Sequence, residues 1–160
     1  MRAQLRIETH MIDDYADMLA LIHEHDIGYV VFNDHIPHKH LNTGRKPPRL
    51  TGTALKSGRS PEAHLALMQA LHHRRAEVPE ALSVFAKALI DAGCLLGSHD
   101  DTSSEGRGMF RDMGAQISEF PETREAAEAA RDSAGKIILG APNVMRGGSH
   151  AGNVSAVELI

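Results

Sequence analysis

Cys94-Leu95-Leu96-Gly97-Ser98-His99-Asp100-Asp101 is the stretch on which the fold turns. A short apolar run climbs into one imidazole and two carboxylates, and Thr102 or Ser103 is placed to cap a helix directly behind them. A buried strand that ends in His and Asp just before a helix is how parallel α/β proteins present chemistry at the rim of a sheet.

The same layout recurs outward from this stretch. Upstream, Leu5-Arg6-Ile7-Glu8 alternates apolar and polar and reads as a strand ending at Glu8. Asp13 or Asp14 can cap a helix from Tyr15 to His25, with Met18, Leu19 and Ile22 on one face. Tyr29-Val30-Val31-Phe32 is a continuous apolar strand that ends at Asn33-Asp34-His35. Pattern then breaks down across 36–60, where prolines and glycines punctuate a polar segment carrying Lys39, Arg45, Lys46, Arg49, Lys56 and Arg59. A structureless connection of this length is either a mobile loop or a lid, here one that would close on an anion. Ser60-Pro61 starts a helix through Arg75, and a second helix runs from Pro79 to Ala92. Downstream of Asp101, a helix to Met113 leads to the strand Ala115–Phe120. Next come a helix over Glu125–Ala134, the strand Lys136–Leu139, and a final helix over Val154–Ile160 capped by Asn153.

Strand and helix thus alternate about five times, which calls for a parallel sheet with crossover helices. An open doubly wound sheet and part of a (β/α)8 barrel both fit. A complete barrel needs about 250 residues, the chain has 160, and it shows neither a dinucleotide glycine fingerprint nor a P-loop. The expectation is one domain over 1–160, an α/β partial barrel of about five strand–helix units with a loop or lid insertion at 36–60.

Composition narrows the partners. A net charge of −4 argues against nucleic-acid and membrane-surface binding. No apolar run approaches the 18 or so residues of a membrane span, and the start lacks an apolar signal region. Aromatic residues make up 4 % of the chain, so aliphatic side chains must fill the core. The single cysteine, Cys94, excludes an internal disulfide and reads as a buried core residue of a cytoplasmic protein. Histidine is the outlier at 11 of 160 residues, although His23, His25, His64, His72 and His73 read as surface positions on helices.

Glu8, His35, His99 and Glu119 all fall at C-terminal strand ends, which converge on one face in a parallel architecture. Imidazoles and carboxylates gathered there suit a divalent ion such as Zn²⁺ or Mn²⁺, with a nearby carboxylate to move a proton. Asp100 and Asp101 are the candidates for that catalytic role. Each equally suits a helix N-terminus, or a partner that orients His99. Arg146-Gly147-Gly148-Ser149-His150, with Asn143 and Asn153 beside it, reads either as a turn or as a phosphate cradle of backbone N–H groups and a guanidinium fork.

Taken together, these stretches resemble the phosphonate-metabolism branch of the amidohydrolase superfamily. The resemblance is carried by Leu5–Glu8, Asn33–His35, Gly97–Asp101, Ser118–Ala127 and the long run Gly140–Ala156. It implies a metal-dependent (β/α)8 hydrolase barrel of the phosphonate (C–P lyase) pathway that releases pyrophosphate from a sugar 5-triphosphate. By resemblance Glu8, His35 and His99 are metal ligands, and Arg146 and His150 meet substrate phosphates. The family's first-strand His/Asp motif would fall before residue 1 and its late-strand Asp beyond Ile160. The chain is therefore expected to be the middle of a longer enzyme, with open sheet edges that favour a homo-oligomer. Two other functions fit the same residues: a non-catalytic remnant that self-associates, and an amidohydrolase cleaving a C–N bond. The polar, arginine-bearing loop at 146–153 suits a polyanion better than a neutral amide.

Overall fold

The computed structural model describes residues 3–149 and 152–159. Five strands form one parallel sheet in sequence order: β1 (Gln4–Glu8), β2 (Tyr29–Asn33), β3 (Leu95–His99), β4 (Ile117–Glu119) and β5 (Lys136–Ile138). Helix α1 (Tyr15–Glu24) crosses from β1 to β2, α6 (Ser104–Asp112) from β3 to β4, and α7 (Arg124–Asp132) from β4 to β5. The expected α/β architecture is what the chain adopts, as an open sheet with interleaved helices.

Between β2 and β3 lie α2 (His38–Asn42), α3 (Leu50–Lys56), α4 (Pro61–His73) and α5 (Val78–Asp91). The 36–60 segment is therefore not structureless. Prolines and glycines cut it into pieces too short for a periodic signal, yet two of those pieces are helical. After β5, α8 (Ala141–Arg146) occupies a stretch expected to be loop, and α9 is shorter than expected, Ala156–Leu159.

The core lies between the sheet and its helices. Ile7, Val30, Phe32 and Leu96 point to the helix side, where Val78, Leu82, Phe85, Ala86 and Leu89 of α5 meet them. Those α5 positions recur at helical spacing, so one stripe is buried and the rest faces water. Tyr15 of α1 stacks on Phe85 with ring centroids 4.3 Å apart. Cys94 is buried, as expected, and its Sγ–H donates to the Ile27 carbonyl. Ser60 and Ser103 cap their helices as anticipated, and Thr123 does the same for α7; each accepts from the backbone N–H three residues on. Asp14 makes no such cap, and Asp13 pairs instead with Arg74.

Alternation along the strands puts Gln4, Arg6, Tyr29 and Glu119 on the opposite face of the sheet. Arg6 Nη2 donates to Glu119 Oε2 at 2.8 Å, and Gln4 Nε2 to Oε1 at 3.0 Å. Strands β1 and β4 are three spacings apart, about 14 Å along the sheet. Gln4 and Arg6 reach Glu119 across that span because the sheet curves, with this face concave. Gly97 is required there: a Cβ would come within 2.7 Å of the Tyr29 hydroxyl, which bonds Glu119.

Candidate active site at the strand ends

Parallel register brings Glu8, Asn33, His99 and Glu119 to one rim. Four of the expected site residues meet there: Glu8, His35, His99 and Asp100. His35, the second residue after β2, donates from Nδ1 to Glu8 Oε1 at 2.6 Å and from its backbone N–H to Oε2 at 3.2 Å. Both Glu8 oxygens are thereby committed to His35, which holds the ring with Nε2 toward Asp100, 3.9 Å from its Oδ2. That separation is an ion-pair distance, beyond hydrogen-bond reach. His99 Nδ1 lies 3.0 Å from Asp100 Oδ1 but off the direction of a hydrogen bond, so this buried nitrogen has no hydrogen-bond partner. The His99 ring packs edge-on against Phe120, centroids 5.3 Å apart.

Electrostatics follow from this geometry. The Asp100 and Glu8 carboxylates push His35 up to about 10, against the pull of burial. Burial would raise Asp100, but His35 and His99 outweigh it and hold the carboxyl well below its usual range. Glu8 is lowered in the same sense, with His35 prevailing over burial.

Asp101 has a different setting from Asp100. It is buried, and its Oδ2 accepts from Ser98 Oγ at 2.6 Å and Ser118 Oγ at 2.5 Å. Ser98 in turn accepts from the buried Arg107, which also donates to the Ala115 carbonyl. Asp101 thus joins β3 to β4 and stands apart from the His35–Asp100 group. Glu119 likewise turns away from the rim, held by Gln4, Arg6 and Tyr29.

The donor atoms of His35, His99 and Asp100 lie within 4.8 Å of one another. Ligands about 2.1 Å from a tetrahedral ion sit about 3.4 Å apart, so small side-chain shifts make these three a ligand set. The buried nitrogen of His99 without a hydrogen-bond partner is the observation that favours such an ion. In this arrangement Glu8 fixes the His35 tautomer through the Nδ1 bond.

Beside this group a cavity of about 750 Å³ opens between the rim and α2, α5 and α6. His99, Asp100 and Asp101 line one wall, and Lys39 and Arg75 are its cations. Of the basic residues of 36–60, only Lys39 faces it; Arg45 and Lys46 border a separate hollow of about 250 Å³ with Glu62 and Gln69.

A second group on the cavity wall was not legible in the sequence. His10, Asp34 and His38 bring donor atoms within 4.8 Å of one another. His72 joins them, its Nδ1 2.7 Å from His38 Nδ1, and is buried rather than on the surface as its helical position suggested. The four come from β1's exit, β2's exit, α2 and α4, so no local spacing marks them. The available signal was the i,i+4 pair Asp34 and His38.

The expected phosphate residues lie around a neighbouring cavity of about 500 Å³, lined by Asn143, Arg146, Ser149 and Asn153. Arg146 is exposed there. Gly147 is left-handed (φ 70), donates to the Val144 carbonyl, and Gly148 donates to that of Asn143. These are the two bonds of a Schellman cap on α8, so both amides are already used and do not form an anion cradle. Asn143 accepts from Ala156 N–H and donates to the Val154 carbonyl. Asn153 donates to Glu122 instead of capping α9. His150 lies outside the described residues.

Imidazoles and carboxylates gathered at the C-terminal rim of a parallel α/β sheet are the donor set of an enzyme-type site. Over 64 residues the chain is 50 % identical to the alpha-D-ribose 1-methylphosphonate 5-triphosphate diphosphatase of Escherichia coli (strain K12). That match covers 40 % of this chain and 17 % of the relative. No family model matches, and no solved structure matches. Among the described residues no helix is long and apolar enough to cross a membrane.

Proposed function

We propose that the chain carries the site of a metal-dependent phosphohydrolase, releasing pyrophosphate from ribose 1-methylphosphonate 5-triphosphate, the substrate in the relative's name. The observation that carries this reading is the convergence of His35, His99 and Asp100, oriented by Glu8, beside a cavity large enough for a phosphorylated sugar. His35, His99 and Asp100 would hold a Zn²⁺ or Mn²⁺ ion. Such an ion supplies Lewis acidity toward a phosphoryl oxygen and a water. The protein's own part is positional. Glu8 fixes His35, Lys39 and Arg75 meet the anionic chain, and Arg146 meets phosphate from the neighbouring cavity. Asp100 is kept ionised by the two imidazoles beside it, and Asp101 braces the β3–β4 rim on which they stand. A small-molecule substrate and a cytoplasmic setting go with this reading.

The test is pyrophosphate release from that triphosphate by the Zn²⁺- or Mn²⁺-loaded chain and by His99→Ala. Release that falls at least 100-fold in the variant is expected. Because the family's remaining ligand groups would lie outside this chain, the deciding measurement is metal content after dialysis: equal metal on wild type and His99→Ala overturns the reading.

A further inference from the structure

We propose that His10, Asp34 and His38 form a second site for a first-row divalent cation such as Zn²⁺, with His72 and Asn42 as its supporting shell. The inference is independent of the hydrolytic reading, because it uses none of the residues His35, His99 and Asp100.

Proton accounting carries the argument. The Asn42 amide oxygen can only accept, and it lies 3.0 Å from His72 Nε2, so that nitrogen bears the His72 proton. The Nδ1 atoms of His72 and His38 face each other at 2.7 Å and share a single proton. A His72 ring protonated at Nε2 offers a bare Nδ1, so His38 Nδ1–H is the donor. The His38 Nε2 lone pair then points at the Asp34 carboxylate, 3.1 Å from Oδ2 and 3.3 Å from Oδ1. A lone pair facing an acceptor-only group at that distance requires a positive charge between them, either a proton or a metal ion.

A third donor completes a ligand set. His10, 6 % exposed, brings Nδ1 to 3.5 Å from Asp34 Oδ1, so a second imidazole converges on the same carboxylate from another element. A neutral His10 with its proton on Nδ1 pairs with that carboxylate unaided, so the metal reading rests on the convergence of all three donor atoms within 4.8 Å, which an ion with several coordination positions engages together. Two nitrogens and an oxygen suit Zn²⁺ and its neighbours rather than Mg²⁺ or Ca²⁺, which take oxygen ligands. The relay Asn42–His72–His38 is the outer hydrogen-bonded support that metal-binding imidazoles characteristically have. Thr9 Oγ1 lies 3.3 Å from His10 Nδ1, and the Ile36 backbone N–H donates to Asp34 Oδ1 at 3.1 Å.

Equilibrium dialysis against Zn²⁺ of the full chain bearing His35→Ala and His99→Ala isolates this site. One Zn²⁺ per chain is expected, with Mg²⁺ failing to compete. Adding Asp34→Asn, nearly isosteric at a partly exposed position, should weaken binding at least tenfold; adding Asn42→Leu, which touches no ligand atom, should weaken it severalfold. No Zn²⁺ on the double variant, or affinity unchanged by Asp34→Asn, overturns the proposal. Loss of triphosphate hydrolysis alone leaves this measurement unaffected, so the two readings fail separately.

Discussion

Asp100 sits at φ 56, in the left-handed region that costs most residues about 1 kcal/mol or more. Aspartate is one of the few non-glycine residues that visit this region readily, and the turn places its carboxylate between His35 and His99. Phe120 repeats the arrangement one strand over, at φ 55, with its ring against His99. The charge pair formed here fixes a pH signature for the metal-free chain. His35 is raised from 6.5 to about 10, so its contribution to stability is complete below 6.5 and is lost as pH climbs through about 10. Asp100 is depressed from 3.8, so its share is present above 3.8 and is lost as pH falls through its lower folded value. Both describe one pair, which therefore stabilises fully between about 4 and 6.5. Thermal melts of the metal-free chain should show stability declining from pH 6.5 to 10, and His35→Gln should flatten that decline. An alkaline limb identical in both proteins would dissociate His35 from the pair. Residues that act this way were readable where one strand end carried them, as with His35 and His99. His10, Asp34, His38 and His72 were not, because their meeting depends on how α2 and α4 fold back.

Helices α6 and α7 show what an element contributes beyond its own stability. Their N-termini are tied together: Ser104 bonds the Glu125 carboxylate through its hydroxyl and its backbone N–H, and Thr123 Oγ1 donates to the Thr102 carbonyl. Beneath them Arg107 and Asp101 clamp Ser98 and Ser118, so the β3–β4 rim cannot splay. Removing the Asp101 carboxylate leaves two buried hydroxyls without their acceptor and the buried Arg107 guanidinium without its neighbouring negative charge. Asp101→Ala is expected to cost about 3 kcal/mol in urea unfolding. A loss below about 1 kcal/mol would mean that water replaces the carboxylate without strain. Strands and long helices were legible because period and caps agree, as at Ser60 and Ser103. Helix α8 was missed although its signals were present: Pro142 just inside its start and Gly147 just past its end. The Arg-Gly-Gly run drew attention to anions, while backbone geometry assigns both glycines to the cap.

For the whole molecule the open sheet is the governing fact. Among the described residues β1 and β5 each pair on one side alone. On β5, Lys136 N–H donates to Gln116 and the Ile138 carbonyl accepts from Phe120, both toward β4. Parallel geometry therefore aims the Ile137 N–H and carbonyl at the free edge. The concave face beside that edge is apolar in part, with Leu95 52 % and Ile138 38 % exposed. An unpaired edge next to exposed aliphatic side chains is a template for another strand. The chain should therefore sediment as a dimer or larger species at micromolar concentration. Ile137→Pro removes the outward N–H without breaking a bond to β4, and should shift the equilibrium toward monomer. Association that persists in Ile137→Pro but yields to Leu95→Lys would place the contact on the concave face instead. A wild type that stays monomeric throughout would mean that the curvature locked by Arg6 and Glu119 already shields the edge from a second copy.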